Sequence, residues 1–246
     1  MKNVTLLALD TATEACSVAL LRGGEKAHLE QFAQREHTKH ILPMVDEILA
    51  QAGIKLYQVD ALVFGRGPGS FTGVRIGAGI AQGLAFGANL PVIPVSNLAA
   101  MAQAAYVQYQ SENVLTAIDA RMNEVYFAQW KARKVRSDFG TFLAWQPIIA
   151  EQVCSASRVL EQVVQHQHDN AVLAGTGWTA YPQLTEANLG KSTDITLPSA
   201  LYMLDLALPK WFAGETISPL EIEPIYLRNE VTWKKLPGRE MILITF

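Results

Sequence analysis

The sequence has little of three features that mark specialised classes of protein. Its two cysteines, Cys16 and Cys154, are too few for a disulfide framework and are typical of a reducing cytosol. Its 20 basic and 23 acidic residues give a net charge of −3, whereas proteins that bind nucleic acid electrostatically carry surplus Lys and Arg. No apolar stretch approaches the ~18 residues of a membrane span, and the N-terminal apolar run is too short for a signal peptide. We therefore expect a cytoplasmic chain without a membrane partner.

Apolar residues are abundant, and their pattern predicts an α/β protein. Hydrophobic residues make up 50% and charged residues 17% of the chain, which excludes a disordered protein and a charged coiled coil. A length of 246 residues allows one or two domains. Apolar runs bounded by turn residues predict strands, and apolar residues at helical spacing predict helices. In the first part of the chain we expect strands over 4–9, 16–21, 26–33 and 61–64, and helices over 36–53 and 72–87.

The same order of elements recurs in the second part of the chain. There we expect strands over 114–118, 125–130, 141–145 and 171–174, a basic turn over 131–136, and a helix over 155–166. Asp119 follows Asp10 by 109 residues, as Val125 follows Cys16, and several matches in register favour two copies of one unit. The alternative is the ordinary alternation of strands and helices in α/β proteins. The predicted boundaries are 1–108 for the first lobe, 109–246 for the second, and about 199–212 for a helix that packs back on the first.

Two units that each open with a strand–Asp–turn–strand hairpin describe the actin-like ATPase fold, in which two RNase H-like lobes enclose a nucleotide. In such a site the backbone N–H groups of a hydroxyl-bearing turn bind phosphate oxygens, and an acidic residue holds the metal ion. The alternative is that these aspartates only end strands and cap turns, as Asp often does. The candidate nucleotide-binding residues are Asp10, Thr11 and Thr13 in the first lobe, and Asp119, Gly175 and Gly177 in the second.

A glycine-rich segment at 67–77, GPGSFTGVRIG, is the most distinctive motif. Its glycines allow the backbone to approach a partner closely, and a helix N-terminus follows directly. It lacks the Gly-Lys-Ser/Thr ending of a Walker A loop and the register of a dinucleotide-binding GxGxxG turn. From the residues alone it is a glycine loop that opens a helix, either at a phosphate or at a tight turn.

This motif resembles the bacterial TsaB family, also called YeaZ, as do LALDTATEACSVALL, HTKHILPMVDEIL, DARMNEVYFAQW and EPIYLRNEVTWKKLPGRE elsewhere in the chain. The resemblance extends over about residues 6–240 and implies the actin-like (ASKHA) fold and a role in forming N6-threonylcarbamoyladenosine at tRNA position 37. It implies a non-catalytic subunit that dimerises with the catalytic paralogue TsaD, supports binding of the ATPase TsaE, and forms a homodimer in their absence. Any contact with tRNA is expected to be indirect or minor.

The metal ligands of the paralogue are missing from this sequence. TsaD-like proteins carry His-x-x-x-His after a Pro-Val strand end, and here Asn97 and Met101 stand at those positions. We expect no metal centre and no required cofactor, with any ATP and Mg²⁺ binding weak. His37 and His40 share a helix face and could bind a metal, but no third ligand is evident; the alternative is a solvated first turn. The missing motif also argues against a metallopeptidase.

The helix over 72–87 has glycines on more than one face, although each interior glycine costs a helix about 0.8–1 kcal/mol. We expect the close approach of partner helices to offset that cost, with the helix over 38–52 alongside. The alternative is packing against the lobe's own sheet. The predicted interface residues are Ile41, Val45, Ile48, Leu49, Gly73, Gly77, Ile80, Ala81 and Leu84.

Alternatives remain open at the level of function. A free-standing small-molecule kinase or ATPase of the same fold would need a catalytic acid in a closing cleft, and the second lobe is short for that. The basic segment 131–136 is either a solvated turn or a tRNA contact. The apolar segment 241–246 could add a strand, dock on a partner or fray.

Overall fold

The structure, a computed structural model, describes residues 4–33, 36–165 and 170–228. Within these ranges the chain forms two five-stranded sheets with helices packed against them, so the predicted mixed α/β architecture is confirmed. In the described part of the chain, no helix combines the length and the apolar character that crossing a membrane would need. The C-terminal segment 241–246 lies outside the described residues.

The first sheet forms from the apolar runs of the first part of the chain. Its strands are β1 (Thr5–Asp10), β2 (Ala15–Arg22), β3 (Glu25–Phe32), β4 (Ala61–Gly65) and β5 (Val92–Val95), and its helices are α1 (His37–Gln51), α2 (Phe71–Ala88) and α3 (Asn97–Tyr109). The strand order is β3-β2-β1-β4-β5. The first three strands are antiparallel, whereas β4 and β5 run parallel to β1. The carboxyl ends of β1, β4 and β5 therefore meet at one edge of the sheet.

The second sheet repeats this arrangement of strands. Its strands are β6 (Asn113–Asp119), β7 (Glu124–Ser137), β8 (Gly140–Ser155), β9 (Val172–Ala174) and β10 (Lys191–Ser192), and its helices are α4 (Ala156–Gln165), α5 (Gly177–Ala180) and α6 (Pro182–Glu186). The order is β10-β9-β6-β7-β8. In the second sheet, β6 pairs antiparallel with β7, and β7 pairs antiparallel with β8. On its other side β6 pairs parallel with β9, and β9 pairs parallel with β10, as β1, β4 and β5 do in the first sheet.

Helices cover both faces of the first sheet. Residues of α1 and α2, including Ile48 and Ala81, pack with Leu7 and Phe64 on one face. A last helix, α7 (Ala200–Ala213), packs on the other face against β1 and β4. Helix α3 contributes to both cores, since Ala100 lies with side chains of the first sheet and α7, and Met101 lies with side chains of β6 and β7. The two halves of the chain are thus joined by buried contacts of α3 and not only by the connecting backbone.

Local sequence signals fix the ends of the long helices. The Ser70 hydroxyl accepts a hydrogen bond from the Gly73 N–H at 3.0 Å, which caps the start of α2. Asn89 adopts a left-handed conformation with φ of 54° and ends that helix. The Ser96 hydroxyl caps α3 in the same way, by accepting from the Ala99 N–H at 3.1 Å. These caps place the starts of α2 and α3 beside the carboxyl ends of β4 and β5.

The basic segment 131–136 is not a turn, and this prediction was wrong. It lies inside β7, which continues to Ser137, and it pairs with β8 residues from Gln146 to Thr141. The hairpin turns instead at Asp138 and Phe139, before Gly140 with φ of 137°. The charged run resembled a turn because this ribbon extends into solvent, where strand residues need not be apolar.

Candidate functional site

Asp10 lies at the end of β1, at the edge where the parallel strands finish. Its side chain is buried, and the Asn97 amide donates a hydrogen bond to Asp10 Oδ1 at 2.7 Å. The amide oxygen of Asn97 accepts from the Gly67 N–H at 2.8 Å. A side chain at Gly65 would overlap Asp10 Oδ1, so that position has room only for glycine. Asn97 therefore joins the ends of β1, β4 and β5 through one amide that both donates and accepts a hydrogen bond.

Burial changes the acidity of this carboxyl group. Desolvation raises the pKa of Asp10 to about 7, while hydrogen bonds from Asn97 and the Ala12 N–H act in the opposite direction. An aspartate that holds a metal ion is ordinarily ionised and open to the ion. Asp10 is enclosed by protein, and its raised pKa means that burial disfavours the ionised form, so its surroundings favour a structural role.

The glycine-rich segment fills the space beside the first hairpin. The Thr11 hydroxyl donates to the Gly73 carbonyl at 2.8 Å, and the Ser70 N–H donates to the Ala12 carbonyl at 2.7 Å. A Cβ atom at Gly69 would overlap Ala12, and one at Gly73 would overlap the Thr11 carbonyl. Because these two residues have no side chain, the start of α2 can pack directly against the hairpin.

The predicted phosphate-binding turn is therefore not an open cradle. Thr11 is 1% and Thr13 is 5% exposed, and the Thr13 hydroxyl lies 3.4 Å from the Ala15 N–H that donates to it. The sequence pattern correctly placed a strand–Asp–turn–strand hairpin here. It could not show that the protein's own helix N-terminus occupies the space in front of the turn.

On the second lobe, Asp119 faces a small cavity. It accepts hydrogen bonds from the Tyr181 hydroxyl at 2.8 Å and from the Arg121 guanidinium at 2.9 Å, and its N–H donates to the Thr176 hydroxyl at 3.1 Å. Desolvation, followed by the bond to Asp119, raises the pKa of Tyr181 to about 12. The cavity, about 370 Å³, also has Glu14 of the first hairpin in its wall. Asp119 thus lies at a cavity that residues of both halves of the chain line, whereas Asp10 is buried within the first half.

Gly175 and Gly177 are required by packing against β6. Gly175 has φ of 117°, and a side chain there would overlap the Ala117 carbonyl. A Cβ at Gly177 would come within 2.8 Å of the Ala117 Cβ. Trp178 is buried beside them and donates from Nε1 to the Ala174 carbonyl at 3.1 Å. These contacts explain the two glycines without a ligand.

His37 and His40 have separate surroundings. His37 is buried and its Nε2 donates to the Thr13 carbonyl at 2.6 Å, so the prediction of a solvated first turn was wrong for this residue. The partner residue is 24 positions away, which no local pattern could reveal. His40 lies 3.7 Å from the Glu36 carboxylate. Among the described residues, no group of three His, Cys, Asp or Glu side chains is placed to hold a metal ion.

The residues predicted for the partner interface lie on the inner face of α1 and α2. Gly73 and Gly77 pack on Thr11, five of the others are buried in the core of the first sheet, and Ile80 and Leu84 are partly buried against it. The predicted set is Ile41, Val45, Ile48, Leu49, Gly73, Gly77, Ile80, Ala81 and Leu84, and its role in binding a partner stays a prediction. Helical spacing showed that these residues share a face, but it did not show that the protein's own sheet covers that face.

Among the described residues, nothing covers the opposite side of α2. We call Gly79, Gly83, Phe86 and Gly87 the outer face of α2. A Cβ atom at each of the three glycines would have no described neighbour within 4 Å, and Phe86 is 68% exposed. The spacing of four residues between these glycines is the sequence signal that could have identified this face.

Comparisons with known proteins agree over most of the chain. The family model for TsaD, tRNA N6-adenosine threonylcarbamoyltransferase, matches residues 30–214. The tRNA threonylcarbamoyladenosine biosynthesis protein TsaB of Haemophilus influenzae is 69% identical, with 98% of this chain and 100% of that protein covered. TsaB of Escherichia coli is 48% identical, with coverages of 96% and 99%. The solved structure of YeaZ from Pseudomonas aeruginosa superposes with a TM-score of 0.77 at 41% identity, covering 91% of this chain and 100% of that chain.

Proposed function

Since this chain belongs to the TsaB family of tRNA threonylcarbamoyladenosine biosynthesis proteins, as its sequence motifs predicted, we propose that it acts in forming N6-threonylcarbamoyladenosine as a non-catalytic subunit. Its partner is a TsaD-like catalytic paralogue, with which it dimerises, and the pair supports binding of a TsaE-like ATPase. In their absence the chain forms a homodimer. The proposed fold is the actin-like ATPase fold, with the two sheets as duplicated RNase H-like lobes.

The outer face of α2 is the observation that carries this proposal. α2 is 18 residues long, and three glycines at four-residue spacing leave a shallow groove along it. Helices normally pack with their axes about 8–10 Å apart, and a groove without side chains favours the short end of that range. Phe86 supplies exposed aromatic area beside the groove, as the centre of a protein interface commonly does.

The positions that would carry the paralogue's histidines support a non-catalytic role. The Asn97 amide is hydrogen-bonded to Asp10 and to Gly67, and Met101 is buried in the core that joins the two halves. A thioether and an amide are poor replacements for two imidazoles on a metal ion. We therefore propose that the chemistry belongs to the partner.

A nucleotide is not required in this proposal. The glycine loop fills the space before Thr11 and Thr13, so the first lobe lacks an open phosphate cradle. Any ATP or Mg²⁺ binding would use the cavity at Asp119 and would be weak. We propose that the protein acts in the cytoplasm. Cys16 and Cys154 are both free thiols, and a reducing compartment keeps thiols in that state.

The experiment is reconstitution of the reaction from purified proteins. With ATP, threonine, bicarbonate and tRNA, the chain alone should form no threonylcarbamoyladenosine, whereas the chain with its TsaD-like and TsaE-like partners should form it. Gly83→Trp should abolish both the heterodimer and product formation, because the indole would occupy the groove. Val107→Trp is the matched control, since Val107 is also exposed on a helix but lies on α3.

Two outcomes would contradict the proposal. Product formation by the chain alone would make it an enzyme. A folded Gly83→Trp variant that still assembles in sedimentation and still supports the reaction would place the interface on another surface. Gly77→Trp and Ala81→Trp are unsuitable as tests, because both positions are buried in the lobe and a large side chain there would disturb folding.

A further inference from the structure

A cavity of about 690 Å³ lies between α7 and the ribbon formed by β7 and β8. None of the residues that line it belongs to the sites described above. Its volume falls within the range of about 300–1,000 Å³ typical of small-molecule pockets. It is bounded by α7 on the side of the first sheet and by the ribbon on the side of the second, so an occupant would touch both halves of the protein.

Aromatic side chains form much of the wall. The Phe139 ring at the tip of the ribbon stacks on Phe212 of α7, with centroids 4.6 Å apart and planes at 10°. Phe142 lies beside the same ring at 5.8 Å. Trp130 and Trp145 also line the cavity, and their indole N–H groups already donate to Thr116 and Gln103. Both indoles therefore offer the cavity apolar surface, which suits a flat, apolar ligand body.

The charged groups at the cavity are not evenly balanced. Glu151 accepts hydrogen bonds from Arg66, at 2.8 Å, and from the Ser96 hydroxyl, so these two ions neutralise each other. The Lys210 ammonium donates to the Pro94 carbonyl at 2.8 Å, and among the described residues no carboxylate oxygen lies within 4.0 Å of it. Glu215 and Asp138 are exposed to solvent at the cavity, where water screens their charges.

The surroundings of Lys210 leave a cation without its counter-ion. Burial, and then the positive charge of Arg66, lowers the pKa of Lys210, while Glu215 and Glu151 partly oppose this. An ammonium group has three N–H donors, and the Pro94 carbonyl uses one of them. A single carboxylate would pair with the charge and accept from the free donors. A ligand with several negative charges would be repelled by the carboxylates of Glu151, Glu215 and Asp138.

We propose that this cavity binds a small molecule with a flat aromatic body and one carboxylate, with the carboxylate on Lys210 and the ring among Trp130, Trp145 and Phe212. The cavity would thereby couple ligand binding to the relative position of α7 and the ribbon. A ligand that binds only the folded protein raises its thermal stability by mass action, which gives a second readout.

The test uses the full chain with two probes of equal shape, 2-naphthoate and 2-naphthalenemethanol, and isothermal titration calorimetry. The naphthoate should bind at least about tenfold more tightly than the alcohol and should raise Tm. Lys210→Met keeps the length and apolar surface of the side chain, and should reduce that ratio to about twofold or less. Lys191→Met is the control, since Lys191 lies near the Tyr109 ring outside the cavity, and it should leave the ratio unchanged. Ala144→Trp at the cavity wall should abolish binding of both probes.

Four results would overturn the assignment. Absence of measurable binding of the naphthoate would exclude an aromatic carboxylate, and equal affinities for the two probes would exclude a role of the charge. Unchanged binding by either Lys210→Met or Ala144→Trp, with folding verified by circular dichroism, would place the probe elsewhere. An affinity that falls as the protein concentration rises would mean that a second copy of the chain occupies the cavity.

Discussion

Replacing Gly79 and Gly83 with alanine should stabilise the isolated protein and weaken its assembly. Both glycines lie inside α2, and a Cβ atom at either position meets nothing within 4 Å, so the methyl groups cause no clash. An interior helical glycine costs about 0.8–1.0 kcal/mol relative to alanine, so the double variant should gain about 2 kcal/mol in free energy of unfolding. For a chain of this size that gain corresponds to a rise in Tm of about 4–8 °C. The same methyl groups would overpack a close helix contact, at a cost of about 1–3 kcal/mol.

The assay pairs thermal unfolding of the chain alone, at a concentration at which sedimentation shows a monomer, with titration against the TsaD-like paralogue. The expected result is a higher Tm together with an affinity about 5- to 150-fold weaker. Gly73→Ala is the matched control, because a Cβ there overlaps the Thr11 carbonyl and should lower Tm. A fall in Tm for the double variant would show that these glycines serve the protein's own fold. A stabilised variant with unchanged affinity would refute the assignment of the outer face.

Three further predictions concern the buried polar group and the basic strand. Since the folded pKa of Asp10, about 7, lies above the ordinary aspartate value of 3.8, the folded state binds the proton more tightly, and this contribution to stability is present at low pH and lost as pH rises through about 7. Urea unfolding between pH 5 and pH 8 should therefore show a stability difference that Asp10→Asn reduces; an unchanged pH dependence would mean that Asp10 is ionised throughout. Asn97→Ala should cost at least about 2 kcal/mol in the same assay, because it leaves Asp10 and the Gly67 N–H buried without their partner, and a near-neutral effect would contradict that account. Alanine at Arg133, Lys134 and Arg136 should change the tRNA affinity of the assembled complex by less than about threefold, measured by filter binding, and a larger loss would assign tRNA contact to β7.

The elements that sequence predicted well are those with local signals. The apolar runs ending at Asp10 and Asp119 marked β1 and β6, and both are present within one residue of the predicted ends. Helix α2 begins at its Ser70 cap, within the glycine-rich motif that predicted it. Such signals lie within a few residues of the element they determine, so one sequence suffices to read them.

Features that depend on contacts between distant residues were not predicted. His37 was expected in solvent because its partner, the Thr13 carbonyl, is not near it in sequence. The cavity at Lys210 is formed by elements from both halves of the chain, and no spacing pattern in either half indicates it. In α2, small residues lie on both sides of the helix, so periodicity alone did not decide which side the sheet covers.

Two sets of glycines, one in the loop and first turn of α2 and one along its outer face, fit the proposed subunit that binds a partner and needs no nucleotide. Gly69 and Gly73, on the side of the first hairpin, let the helix N-terminus enter the space where a nucleotide-binding turn would hold phosphate. Once the helix is seated there, its opposite side must face outward, and Gly79 and Gly83 keep that side shallow. The position of α2 therefore fills the space in front of the first hairpin and leaves the groove of its outer face exposed. We propose that such a chain binds a helix of its partner and does not need a nucleotide, and that the catalytic chemistry belongs to the partner.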